Sequence, residues 1–272
     1  MEDCRLLKEQ LKNKQNYTFD DLIKIMKVLM SNEGCPWDRV QTHQSIRINA
    51  IEEAYEVVDA IDQNDKTKII EELGDMMLQS VFHCVIAERD GEFELKDMLN
   101  TLCQKLVFRH THVFTDEKAQ DDKQALSNWN NAKAVEKSIK SVTQDIKELP
   151  KYFPELLRAQ KVQKKAASVG FDFENIEQML QKLDEEVAEL KAEIKSNNMK
   201  NAGEELGDCL FSLVNISRKI KADSELCLKN STDKFIKRFE QVENAVLKSG
   251  KNFADYSLEQ LDDIYKKAKQ KR

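Results

Sequence analysis

Eight acidic residues, in two groups of four, carry the clearest chemistry in this chain. The first group is Glu53 and Glu56, in Ile51-Glu52-Glu53-Ala54-Tyr55-Glu56, with Glu72 and Asp75, in Glu71-Glu72-Leu73-Gly74-Asp75. The second is Glu186 and Glu189, in Asp184-Glu185-Glu186-Val187-Ala188-Glu189, with Glu205 and Asp208, in Glu204-Glu205-Leu206-Gly207-Asp208. Both read E-E-x-x-E and then E-E-L-G-D, and each position of the second copy lies 133 residues beyond its counterpart. In both, 19 residues separate the Glu that opens E-x-x-E from the Glu that opens E-x-x-D. A two-part motif repeated at one internal spacing marks an internal duplication. On a helix, residues three apart share a face, about 4.5 Å apart along the axis. The midpoints of the two sets fall at Asn64, in Asp62-Gln63-Asn64-Asp65, and at Asn197, in Ser196-Asn197-Asn198. A helical hairpin folded at those turns brings four carboxylates to one point.

Such convergence calls for a cation. Two like charges about 4 Å apart repel by roughly 4 kcal/mol at an effective dielectric of 20. An all-oxygen set suits Mg²⁺, or Mn²⁺, rather than zinc. A single E-x-x-E is usually a solvated helix face; the paired and duplicated version, with apolar residues interleaved, points to metal.

The elements that must position these acids read as helices throughout. Hydrophobic residues make up 40% and charged residues 34%, with only 7 Gly and 3 Pro among 272 residues, so turn breakers are scarce. A helix is expected over residues 17–30, capped near Thr18, and Gly34-Cys35-Pro36-Trp37-Asp38 breaks it, with Trp37 expected as a core plug. The pattern resumes as a helix at about Ser45 carrying Glu52, Glu53 and Glu56. A long apolar-striped helix follows from Lys66 to Arg89, then one from about Leu95 to His110, then a short one holding Trp129. The second half repeats this with helices at about Ile176 to Lys195 and Met199 to Lys221. Lys105-x-x-x-Arg109 is echoed by Lys234-x-x-x-Arg238, and Trp129-Asn130-Asn131-Ala132-Lys133 by Tyr265-Lys266-Lys267-Ala268-Lys269. The expected fold is all-α, two tandem helical bundles over residues 18–135 and 159–270, joined by a lysine-rich junction at 136–158.

Several classes of function are set aside. With 43 basic against 49 acidic residues the formal charge is −6, which gives no case for nucleic acid or an anionic membrane as partner. Six scattered cysteines without a C-x-x-C pair read as free thiols of a reducing compartment. The first residues lack an apolar leader and no run of 18 apolar residues occurs, so a cytoplasmic protein is expected. No G-x-x-x-x-G-K-[ST] loop is present. The positions three before each His are Val40, Ser80, Val107 and Arg109, so the E-x-x-H of di-iron bundles is absent. His110 and His112 alone make a weak zinc pair.

The acidic pattern, together with Gly34-Cys35-Pro36-Trp37-Asp38, Gln41-Thr42, and Arg158-Ala159-Gln160-Lys161 ahead of Val169-Gly170-Phe171-Asp172, resembles the MazG family of nucleoside triphosphate pyrophosphohydrolases. The resemblance spans residues 18–270. It implies tandem all-α MazG domains, a homodimer, and Mg²⁺-dependent hydrolysis of nucleoside triphosphates to monophosphate and pyrophosphate. By the family motif Glu186, Glu189, Glu205 and Asp208 are metal ligands, with Glu53, Glu56, Glu72 and Asp75 as first-half counterparts. Glu185 and Glu52, each beside a ligand Glu, would orient or deprotonate water. Lys234 and Arg238 fall where the family places cations on the phosphates, with Lys105 and Arg109 as counterparts and Lys182 as a further candidate. Tyr265 stands where the family usually has a tryptophan near the nucleotide, and Trp129 is its first-half echo. The resemblance favours the C-terminal half as the main active site. The competing reading is a non-catalytic helical interaction module with structural acidic hairpins.

Overall fold

In the computed structural model, which describes residues 4–270, all regular structure among the described residues is helical. The chain divides into two compact units, residues 1–136 and 137–272.

In the first unit, α1 is Cys4–Lys12 and α2 is Phe19–Leu29. Thr18 caps α2 in a reciprocal box: its side chain accepts from the Asp21 N–H, and the Asp21 carboxylate accepts from the Thr18 N–H at 2.7 Å. The chain then doubles back so tightly that a Cβ on Gly34 would sit 2.2 Å from the carbonyl oxygens of Val28 and Leu29, which only glycine avoids. Pro36 opens the short α3, Pro36–Arg39. Next come α4, Asn49–Asp62, and α5, Lys66–Asp90, packed as a hairpin. The hairpin turns at Asn64, whose φ of 54° is the left-handed conformation that Asn tolerates, and Asp65 caps α5 by accepting from the Thr67 and Lys68 N–H groups. Then follow α6, Leu95–Arg109, α7, Thr111–Phe114, and α8, Asp122–Glu136. The core lies where α2 meets the C-terminal half of α5: Met26, Met30, Ile46, Val81, Phe82, Val85 and Ile86.

The second unit holds α9, Val142–Lys147, α10, Glu155–Ala167, α11, Ile176–Lys195, and α12, Met199–Lys219. After these come α13, Ser224–Lys248, a 3₁₀ turn at Phe253–Asp255, and α14, Leu258–Gln270. The α11–α12 hairpin repeats the α4–α5 hairpin down to its turn. Asn197 has φ 60°, and Asn198 caps α12 by accepting from the Asn201 N–H. Helix α10 packs on α12 and α13, and α13 packs on α14.

Some expectations are corrected. Trp37 is not a core plug: it is 58% exposed and meets Phe82 edge-on at 6.5 Å, because Phe82 itself fills the core beneath α3. Helix α4 starts at Asn49 rather than Ser45. Thr42 and Ser45 bond reciprocally through side chain and backbone, which holds those residues in a turn. The apolar stripe of α5 is buried only from Val81 onward, where α2 covers it; Ile70, Leu73 and Met77 are exposed, as are Leu99, Leu102 and Leu106 on α6. The junction segment carries α9 and the start of α10. Its Asp145 pairs with Lys165, and the Leu157 N–H donates to Glu225 on α13, so it is built into the second unit.

Candidate active site

In each hairpin the i, i+3 spacing and the asparagine turn do what helix geometry dictates. Glu53 and Glu56 on α4 meet Glu72 on α5, with one carboxylate oxygen from each lying within 4.8 Å of the others. In the second unit Glu186 on α11 meets Glu205 and Asp208 on α12 in the same way. The fourth member of each set stands in electrostatic reach. Burial pushes Glu53 above the usual carboxylate range, and Asp75 and Glu56 push the same way; burial likewise raises Glu72, helped by Glu56, Glu71 and Asp75. Burial raises Glu205 too, with Glu189, Asp208 and Glu186 adding to it. Each carboxylate therefore raises the cost of ionising its neighbours, and the donors are all oxygen. A hard divalent cation fits both sets.

The two sets differ in what touches them. Lys182, one turn before Glu186 on α11, places its ammonium 2.6 Å from the Glu186 carboxylate and 3.4 Å from that of Glu185. Glu186 is buried, and its hydrogen bond is the main reason the Lys182 ammonium is held above its ordinary pKa. In the first unit the neighbour is neutral: Gln79 donates from Nε2 to Glu53 Oε1 at 3.1 Å. Sequence reasoning missed Gln79, although its place four residues after Asp75 on α5 was a usable signal. Glu52 and Glu185, expected beside the attacking water, are both exposed, and Glu185 leans on Lys182.

The expected phosphate and base contacts fall into two matched pairs. Arg238 on α13 stands 5.8 Å from the ring of Tyr265 on α14, and Arg109 on α6 stands 5.0 Å from the ring of Trp129 on α8. Arg109 is buried, and its Nε donates to Glu136 at 2.7 Å, so this guanidinium holds α6 to α8. Arg238 is only half-buried, and Lys234 is exposed. Lys105 lines a shallow hollow with Phe93, Asp97, Met98 and Leu102.

A cavity of about 440 Å³ in the second unit is lined by Gln163, Phe171, Phe173, Phe211, Asn215 and Arg218. Phe211 and Asn215 follow Asp208 on α12 at three and seven residues, along the same side of the helix.

The MazG nucleotide pyrophosphohydrolase domain matches the chain twice, over residues 41–114 and 174–246, each stretch containing one whole acidic set. The nucleoside triphosphate pyrophosphohydrolase/pyrophosphatase MazG of Thermotoga maritima is 41% identical over 92% of this chain and 95% of its own length. The nucleoside triphosphate pyrophosphohydrolase of Escherichia coli K12 is 36% identical over 92% of this chain and 96% of its own length. The uncharacterized protein YabN of Bacillus subtilis is 40% identical over 93% of this chain, which spans 52% of that protein.

Proposed function

The chain belongs to the MazG nucleotide pyrophosphohydrolase family, and from that premise we propose that it hydrolyses nucleoside triphosphates to the monophosphate and pyrophosphate. The observation that carries this reading is the convergence of oxygen ligands in each α-helical hairpin. We assign Glu186, Glu189, Glu205 and Asp208 to one divalent cation, Mg²⁺ in the cell with Mn²⁺ as a substitute. Glu53, Glu56, Glu72 and Asp75 hold the corresponding ion in the first unit. Such a cation supplies charge neutralisation at the triphosphate and acidity to the attacking water.

The chain's own side chains do the rest. The ammonium of Lys182 lies at the rim of the second set, where it can move from Glu186 to a phosphate oxygen. Lys234 and Arg238 add positive charge for the triphosphate, with Arg238 also backing the Tyr265 ring for a base to stack on. Lys105 and Trp129 hold the matching places in the first unit, whereas Arg109 serves there through its bond to Glu136. Glu185 and Glu52 lie beside the ligands at the solvent side, where a carboxylate can accept the proton of water attacking the α-phosphorus. The second unit is the main site in this reading, because Arg109 of the first unit is buried and paired with Glu136, whereas Arg238 is half-buried.

A homodimer is part of the proposal. The chain exposes 20005 Å², whereas two independent folded units of half its mass would expose roughly 14,600 Å². Leu228, Phe235, Ile236 and Phe239 on α13 are exposed, as is the stripe on α6. A cytoplasmic location accords with free cysteines at Cys35, Cys84, Cys103, Cys209 and Cys227. No helix among the described residues is long and apolar enough to cross a membrane.

The test is pyrophosphate release from several ribo- and deoxyribonucleoside triphosphates with Mg²⁺. Glu205→Gln is expected to lower kcat/KM by about a hundredfold or more, in line with the loss of a charge-stabilising group at a transition state. Glu72→Gln is expected to lower it less. The reverse order would move the main site to the first unit.

A further inference from the structure

The duplication lets one copy serve as the control for the other. Gln79 corresponds to Ser212 in the second copy, and Lys182 corresponds to Asn49 in the first. Each acidic set has therefore acquired a contact that the other lacks. We propose that the two sets differ as ion sites: the first takes a divalent cation at lower concentration than the second, because a neutral amide meets Glu53 where an ammonium meets Glu186. This rests on the reading of both sets as ion sites given above.

Gln79 is a positioning residue. It is buried, its Nε2 fixes Glu53 at 3.1 Å, and its Oε1 has no partner among the described residues. A buried amide that forgoes half of its hydrogen bonding is held there by what its other half does. It orients Glu53 without cancelling any of the set's negative charge. Lys68, one turn before Glu72, bonds instead to Gln63 Oε1 at 3.4 Å.

In the second set the ammonium of Lys182 already neutralises Glu186 at 2.6 Å. An incoming cation must break that pair or share the carboxylate with a positive charge. A triphosphate offers Lys182 another partner, so the second set fills when ion and nucleotide arrive together. The first set holds its ion before substrate comes.

The experiment is a Mn²⁺ titration of the intact chain without nucleotide, read by electron paramagnetic resonance of the free ion. Two classes of site are expected, differing about fivefold or more, the effect of one unit charge about 4 Å away in a water-like medium. Glu53→Gln removes the tighter class. Lys182→Asn, which installs the residue of the first copy, tightens the weaker class by a similar factor. Gln79→Ser, which installs the residue of the second copy, weakens the tighter class while leaving the weaker one in place. One class of site, the reverse order, or a weaker class unmoved by Lys182→Asn overturns the proposal while leaving the hydrolase reading intact. Absence of any bound Mn²⁺ overturns this proposal and the ion-site assignment together.

Discussion

Glu205 shows how a single carboxylate records its surroundings. Burial is the largest cause of its raised pKa, and Glu189, Asp208 and Glu186 follow. A carboxylate with a raised folded pKa binds more protons folded than unfolded. Its contribution to stability is therefore full below the unfolded value of 4.5 and is lost as pH rises through the folded value. In EDTA, thermal unfolding followed from pH 5 to pH 7 should fall less steeply in Glu205→Gln than in the parent chain. A cation reverses the sense, since it binds the ionised form, so Mg²⁺ should raise Tm more at pH 7.5 than at pH 5. Equal Mg²⁺ shifts at both pH values would detach Glu205 from any ion.

At the scale of elements, α5 ties the acidic set to the core. One end carries Glu72 and Asp75, the middle carries Gln79, and His83 follows one turn later. His83 Nδ1 lies 2.7 Å from Nδ1 of His43, and the rings stack at 5.0 Å. Only one of those nitrogens can carry a proton across that gap. Glu92 faces His43 Nε2 at 3.3 Å. His83 is held below its ordinary value by burial first and by His43 second. A histidine with a lowered folded pKa supports stability above its unfolded value of 6.5 and withdraws that support as pH falls below it. Hydrogen exchange in α4 and α5 should therefore accelerate between pH 7 and pH 5.5, and His83→Phe should remove most of that change. Unchanged pH dependence in His83→Phe would show that the pair does not clamp the segment entering α4.

The hairpins were legible in sequence because their logic is local. Three-residue spacing sets the face, an apolar stripe sets the helix, and an asparagine at the midpoint sets the turn; Asn64 and Asn197 both take positive φ. What was not legible depends on packing between distant segments. Trp37 stays outside because Phe82, 45 residues later, already fills the place below it. The commitment of Arg109 depends on Glu136, and that of Gln79 on Glu53; neither partner is a helix-turn neighbour. The late start of α4 is a case of side chains competing locally with helix, which periodicity does not register.

At the scale of the whole molecule, the dimer proposed above would cover the exposed apolar residues of α6 and of α13 with a second copy of the chain. Sedimentation should give about twice the 31.5 kDa of one chain. Ile236, 58% exposed on α13, is a sensitive place to test this: Ile236→Asp should shift the mass toward one chain and lower Tm by several degrees. A parent protein that sediments as one chain at micromolar concentration would contradict the dimer.

The central claim is that two duplicated carboxylate hairpins serve the attack of water on the α-phosphorus of a nucleoside triphosphate. Hydrolysis in ¹⁸O-labelled water, with mass analysis of both products, tests it most directly. The account predicts that the label appears in the nucleoside monophosphate, with unlabelled pyrophosphate, and that the reaction stops in EDTA. Label in pyrophosphate would place the attack on the β-phosphorus, and release of labelled orthophosphate would place it on the γ-phosphorus; either result would contradict the account.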